Sequence, residues 1–173
     1  MKWIAISGSW RCVNKEIENE VRKNVKEMIN RGDGIVTGGA LNVDYIAIDQ
    51  GLTLNPKADK IKVFLPVSLE LYAQHYRRRA REGVITLEQA ERLIDQLSKL
   101  RAINKLALRE NINNKVVNQA TYFERNTEVI KAADELLAFQ VNHSAGVEDT
   151  IKKAKSKGIP IKLFSYTIKE VKK

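Results

Sequence analysis

A chain of 173 residues, 43% hydrophobic and 29% charged, has the size and composition of one ordinary soluble globular domain with a real core. It holds no run of 18 apolar residues, which excludes a helical membrane span, and its single cysteine, Cys12, excludes an internal disulfide or a thiolate metal cluster. The net charge of +9 is concentrated: ten Lys/Arg are set against six Asp/Glu from Glu70 to Lys115, and eight Lys against Glu170 alone from Lys152 to Lys173, a distribution that suits phosphate-rich partners.

The residues from Met1 to Ile6 turn polar too soon for a signal peptide, so the expected location is cytoplasmic. Trp3 to Ser7 reads as a first strand that runs into Gly8-Ser9-Trp10-Arg11. Asn14 is a good N-cap for a helix whose Ile17, Val21, Val25, Met28 and Ile29 keep a helical period up to Gly32. A second strand, Gly34 to Thr37, breaks into Gly38 and Gly39, and a helix follows at once through about Leu54, stopped by Asn55-Pro56. The paired glycines carry no Cβ, so the backbone takes φ > 0 and another group can approach closely. The amides opening the next helix sit at the positive end of its dipole, where a phosphate or carboxylate fits. A plain strand-to-helix turn accounts for this stretch equally well.

A third strand, Ile61 to Leu65, ends at Pro66-Val67-Ser68. From about Leu69 to Val117 the chain reads as a helical insertion, far longer than a usual crossover. Thr86 with Gln89 resembles a capping box, and Ala90, Leu93, Leu97, Leu100, Asn104 and Ala107 form a heptad-like seam. The seam predicts either a helix laid on the domain's own core or an arm pairing with a second subunit, with Asn104 fixing register. Tyr122-Phe123-Glu124-Arg125-Asn126 opens a helix through Ala133, and Glu135 to Phe139 or Gln140 is a fourth strand. Asn142-His143-Ser144-Ala145-Gly146 leads into a helix from about Val147 to Ser156, Gly158-Ile159-Pro160 turns into a fifth strand, Ile161 to Phe164, and Tyr166 to Lys173 is a basic tail with the makings of a short helix.

Strands alternating with helices predict an α/β fold: a single Rossmann-like domain over 1–173 with a mostly parallel five-stranded sheet, helices on both faces and the insertion between strands 3 and 4. Ligands of such sheets bind outside the carboxyl ends of the strands, where strand order reverses. Three small-residue loops fall on that edge, with Ser7, Ser9, Arg11, Thr37, Asp44, Ser144 and Thr150 as polar company, so a nucleotide or phosphate cleft is expected there.

The four loops resemble one superfamily in order and spacing. Gly8-Ser9-Trp10-Arg11 looks like its "GSR" start, and Thr37-Gly38-Gly39-Ala40-Leu41-Asn42-Val43-Asp44 looks like its "SGGAxGVD" element. Arg125-Asn126 looks like its "RN" helix start, and Ser144-Ala145-Gly146-Val147-Glu148-Asp149-Thr150 looks like its "GGT…T" phosphate loop. Together they resemble the SLOG superfamily of nucleotide-binding proteins, which includes the DNA-processing protein DprA/Smf and the LOG phosphoribohydrolases, and the pattern is most similar to the small DprA-like members. The resemblance covers nearly the whole chain apart from the insertion. It implies phosphate contacts from Gly8, Ser9, Arg11, Thr37, Gly38, Gly39, Ala40, Asp44, Arg125, Asn126, Ser144, Gly146 and Thr150. LOG-type enzymes carry a Pro-Gly-Gly-x-Gly-Thr-x-x-Glu loop; here the loop has no Gly-Gly pair and Thr150 stands where that glutamate would be.

Two functions follow. The first is a nucleotide- or nucleic-acid-binding protein, in which Arg77, Arg78, Arg79 and Arg81, beside Tyr72 and Tyr76, grip a sugar-phosphate backbone or form a solvated helical face. The second is an N-glycosidic hydrolase of nucleoside 5′-monophosphates, with Asp44, Glu148 or Asp149 as acid/base. A nucleotide is the expected ligand, and no cofactor is required. His75 and His143 are too few and too distant in sequence for a metal site, though His143 sits where it would touch a ligand; Cys12 has no histidine beside it to make it a nucleophile. A homo-oligomer through the insertion is the seam's sharper implication.

Overall fold

In the computed structural model, which describes residues 1–169, the chain alternates strand and helix. The elements are β1 (Trp3–Gly8), α1 (Lys15–Asn30), β2 (Gly34–Thr37), α2 (Val43–Leu54), β3 (Ile61–Phe64), α3 (Leu69–Arg81), α4 (Leu87–Ile103), β4 (Leu108–Arg109), α5 (Gln119–Lys131), β5 (Glu135–Val141), α6 (Ala145–Lys157) and β6 (Ile161–Tyr166). The sheet order is β4-β3-β2-β1-β5-β6, and every neighbouring pair is parallel. From β1 the chain steps outward to β4, then returns across β1 to lay β5 and β6 on its other side. Strand order therefore reverses between β1 and β5.

Alternate residues of the central strands face opposite layers. Ile4, Ile6, Ile35, Leu137 and Phe139 join Ile17, Val21 and Val25 of α1 and Ile46 and Ala47 of α2 in one core. Ala5, Val36, Leu136 and Ala138 join Val129 and Ile130 of α5 and Val147 and Ala154 of α6 in the other. Helices thus cover both faces, and strands buried on both sides read as the continuous apolar runs seen in the sequence.

The sheet has six strands among the described residues, not the five expected. The extra one is β4, whose Leu108 and Arg109 pair with Val63 and Phe64; two residues give no periodic signal to detect. The stretch 69–117 is accordingly not helical throughout. The α3 helix closes at Gly83, which takes φ +76, and α4 opens on a true capping box in which Thr86 and Gln89 exchange hydrogen bonds of 3.0 and 2.9 Å. Beyond β4 the chain runs to Asn118 without helix or strand. The heptad-like seam faces the chain's own core: Ala90, Leu93, Leu97 and Leu100 are fully buried, and the Asn104 amide donates to the Ala58 carbonyl at 3.2 Å. A seam so placed is not available to a second subunit.

Strands β5 and β6 extend to Val141 and Tyr166, past the expected ends, because their last residues keep the parallel register. Tyr166 is strand and Thr167 to Lys169 are not helical; the rest of the expected tail helix, Glu170 to Lys173, lies outside the described residues. No helix among the described residues is long and apolar enough to cross a membrane.

Candidate functional site

Where strand order reverses, the loops after β1 and β5 leave in opposite directions and open a crevice. Here Ser9, Arg11 and Cys12 of the first loop and Asn142, His143 and Ser144 of the second line a cleft of about 280 Å³. The second loop is held in an uncommon backbone shape, with Asn142 at φ 49 and His143 at φ 58, both left-handed. What fixes it is the segment after β6: the Asn142 side chain donates to the Ile168 carbonyl at 2.7 Å and accepts from the Ile168 amide at 3.0 Å. Ser144 starts α6 without a side-chain cap, so the first amides of that helix keep their positive end open at the cleft. Gly146 lines this cleft and the next one.

The glycine turn after β2 is occupied by the protein itself. A Cβ on Gly38 would run into the Arg125 guanidinium, and Arg125 donates through one terminal nitrogen to the Gly38 carbonyl and through Nε to Asn126 Oδ1 at 3.0 Å. The close approach expected of the paired glycines is real, and the approaching group is an arginine of α5. Gly39 takes φ +65, and its carbonyl accepts from the buried Tyr72 hydroxyl at 3.0 Å. Gly8 lacks a Cβ because Val43 fills that space. Thr37 is fully buried and its hydroxyl accepts from the Gly39 amide at 3.2 Å. Asn42 adopts φ 63, as its side-chain type allows, and donates to the Trp10 carbonyl, tying the first two loops together.

Asp44 sits under this turn, 5% exposed. One carboxylate oxygen accepts from the Ala40 amide at 3.1 Å and the other has no hydrogen-bond partner. Burial pushes its carboxyl above the ordinary aspartate range, against the pull of the Arg125 charge and the Ala40 amide. The anion position that the α2 N-terminus offers thus belongs to the chain's own carboxylate.

The other predicted acids are similarly engaged or turned away. Asp149 accepts from Lys153 Nζ at 2.6 Å and from the Asn126 amide at 3.1 Å. Asn126 therefore clamps α5 to the start of α6. Thr150 donates to the Gly146 carbonyl at 2.8 Å and accepts from Ser7 at 3.2 Å, buried between β1 and α6. Glu148 is exposed, with Gln140 at 3.3 Å and His143 Nδ1 at 3.9 Å, and His143 points to solvent. Ser9 is buried and accepts from the Arg11 amide at 3.3 Å, while the Arg11 guanidinium lies 5.2 Å from the centre of the Trp10 ring.

Two larger clefts continue from the crevice across α3. The first, about 320 Å³, is bounded by Trp10, His75, Tyr76, Arg79, Tyr122 and Arg125 among others. The second, about 520 Å³, runs along the outer face of α3 with Arg77, Arg78, Arg81 and Lys115 in its wall. His75 and Val117 belong to both walls, so the two clefts meet at them. Burial, with Arg78 and Arg79 nearby, lowers the His75 pKa, which keeps the ring neutral at neutral pH. Arg77 is paired with Glu91 through two contacts of 2.7 and 3.1 Å, and Arg79 with Glu82 at 3.0 Å; Arg81 and Lys115 make no ion pair among the described residues. Tyr72, expected beside the arginines as a grip, is fully buried. Sequence reading missed His75, Tyr122, Phe123 and Lys115. Tyr122 and Phe123 stand within three positions of the expected Arg125 motif, which was the one signal available.

The architecture is a doubly wound Rossmann-like fold, and known structures share it. DNA processing protein A from Helicobacter pylori, described for its single-stranded DNA binding mode, superposes with TM-score 0.68 at 20% identity, over 94% of this chain and 64% of that one. The structural-genomics target TM1055 gives 0.54 at 14% identity, over 93% and 72%. DNA processing protein A from Streptococcus pneumoniae gives 0.51 at 14% identity, over 93% and 58%. The chain thus spans less than two thirds of the length of both DprA proteins, and at these identities the likeness establishes a common fold. No family model and no curated protein sequence matches the chain.

Proposed function

We propose that this chain is a DprA-like nucleic-acid-binding protein of the SLOG type, acting as one Rossmann-like domain that holds phosphates at the carboxyl edge of its sheet. One observation carries the reading. The walls of the three adjoining clefts contain seven cationic side chains, Arg11, Arg77, Arg78, Arg79, Arg81, Lys115 and Arg125, and no Asp or Glu. Glu91 stands against Arg77 and Glu82 against Arg78 and Arg79, so the uncompensated positive charge is that of Arg11, Arg81, Lys115 and Arg125, which make no ion pair among the described residues. An excess of that sign suits a polyanion. The shared fold of a protein described as binding single-stranded DNA supports it. Ser144 and Gly146, at the uncapped start of α6, offer the first phosphate contact, and the α3 face extends it.

Hydrolysis of a nucleoside 5′-monophosphate is the weaker reading, since Asp44, Glu148 and Asp149 line none of these clefts. The test is fluorescence anisotropy with a labelled oligothymidylate at several salt concentrations. Wild-type affinity should fall steeply with salt. Arg81→Gln with Lys115→Gln should lower the logarithmic salt slope by roughly 0.7 for each phosphate the pair neutralises. Binding that ignores salt, or none at low salt, overturns the proposal.

A further inference from the structure

The pairing of β5 with β6 ends at Val141 and Tyr166, yet the two chains stay joined beyond it. The Asn142 backbone amide donates to the Tyr166 carbonyl at 3.2 Å, the last rung made by backbone alone. The next rung is made by a side chain, for the Asn142 carboxamide donates to the Ile168 carbonyl and accepts from the Ile168 amide. A carboxamide carries donor and acceptor side by side, as a strand residue does; an aspartate would keep the acceptor and lose the donor. Ile168 is half-buried and packs against the larger core, so the segment after β6 has an apolar anchor as well. On the other side of Asn142 the chain turns through two left-handed residues, φ 49 at Asn142 and φ 58 at His143, before Ser144 opens α6. Residues other than glycine hold that conformation against a steric cost, and two in succession need a contact from outside the turn to keep them there. The Ile168 clasp supplies it, whereas the His143 side chain is 93% exposed and supplies little. The same turn sets where Ser144 and Gly146 stand against Ser9 and Arg11 across the crevice.

We propose that Thr167 and Ile168 form a latch on this crevice. Docked on Asn142, the segment holds the loop after β5 in the shape that receives a phosphate opposite Arg11; released, it lets the turn relax to a backbone that does not. The inference rests on the phosphate-binding reading above and adds a control exerted by a part of the chain outside the site, since Ile168 lines none of the three clefts. A site whose competent shape exists only while the latch is closed binds with an affinity scaled down by the closed fraction. The coupling is reciprocal: the factor that latching adds to phosphate affinity is the factor that a bound phosphate adds to latching. Asn142 is thus a positioning residue, and anything that draws the chain after β6 away from it loosens the nucleic-acid grip.

The experiment uses the full chain and a labelled oligothymidylate, with binding followed by anisotropy and amide exchange at Ile168 followed by NMR. Asn142→Gly leaves the left-handed turn accessible and removes both side-chain bonds. Ile168→Pro removes the amide donor from the other side and leaves the loop sequence alone. Asn142→Gly is expected to weaken oligothymidylate binding roughly 5- to 150-fold, the span of two hydrogen bonds, and Ile168→Pro to weaken it in the same direction. In the wild type, saturation with oligothymidylate should slow Ile168 amide exchange by a factor comparable to the Asn142→Gly loss. That measurement needs no variant and decides the matter even where a variant fails to fold. Undiminished affinity in Asn142→Gly, or Ile168 exchange that ignores the ligand, makes the clasp a structural tie only; it overturns the latch and leaves the phosphate reading standing. A loss that Ile168→Pro does not share puts the effect in the loop itself and likewise overturns it. If the oligothymidylate does not bind the wild type, the nucleic-acid reading falls and the latch with it.

Discussion

Replacing Arg125 with methionine tests how the glycine turn is held together. Methionine keeps much of the length of the side chain and removes the charge that offsets the buried Asp44 carboxylate. Asp44 makes no ion pair within 4 Å among the described residues. Its attraction to Arg125 is therefore bounded by about 4 kcal/mol, the value for unit charges 4 Å apart at an effective dielectric near 20. A coupling of about 2 kcal/mol is a reasonable share of that bound. The two hydrogen bonds removed, to the Gly38 carbonyl and to Asn126, add roughly 1 kcal/mol each whatever the pH. The sign of the pH dependence follows from linkage. Burial already raises the Asp44 pKa in the folded state, so Asp44 favours folding most at low pH, and that contribution declines as pH rises through the folded-state value. Arg125 opposes the rise, and removing it lifts the folded-state pKa further. The stability gap between wild type and Arg125→Met should then be roughly 2 kcal/mol near pH 4 and widen to about 4 kcal/mol at pH 8. Urea unfolding across that range measures it. Asp44→Asn in the same background should flatten the dependence. A gap that is the same at pH 4 and pH 8 would show that the two charges do not sense each other, and the account of the turn would be wrong.

Two further outcomes bear on the same turn. Gly39→Ala combines a left-handed φ of +65 with a Cβ set 2.9 Å from Leu65 and Val63, whereas Gly32→Ala at φ +96 meets nothing within 4 Å. Urea titration should show the first losing about 1–3 kcal/mol more than the second, the cost of overpacking alone. Equal losses would mean that the turn is not packed as described. Tyr72→Phe strips the Gly39 carbonyl of its buried donor, and a thermal melt should fall by roughly 3–6 °C for a loss of about 1.5 kcal/mol.

Much of the architecture was legible because it rests on long, two-sided apolar strands and on glycines at element ends. The Rossmann-like order, the N-cap at Asn14 and the capping box at Thr86 all follow from local chemistry that no tertiary contact overrides. Strand β4 escaped notice because it is two residues inside a stretch of helical composition. At the site, residue types placed the loops on the correct edge but did not reveal who occupies them. In sequence Thr37, Asn126 and Thr150 look like ligands for a phosphate, and Asp149 like an acid/base. In space they are engaged with Gly39, Gly146, Lys153 and Ser7, because a turn between buried elements must satisfy its own polar groups first. The aromatic lining of the first cleft across α3 was invisible for a different reason. Its rings come from three elements separated by dozens of residues, and no local spacing announces their meeting.

The missing side chain at Gly38 ties its fate to a residue 87 positions away. Any larger residue at 38 would displace the Arg125 guanidinium, and any shorter side chain at 125 would leave an empty shelf above the turn. Among sequences that share this fold, the two positions are expected to change together: glycine with arginine, or a side chain at 38 with a small residue at 125. A library randomised at both positions and selected for folding should recover that pairing as its strongest long-range correlation.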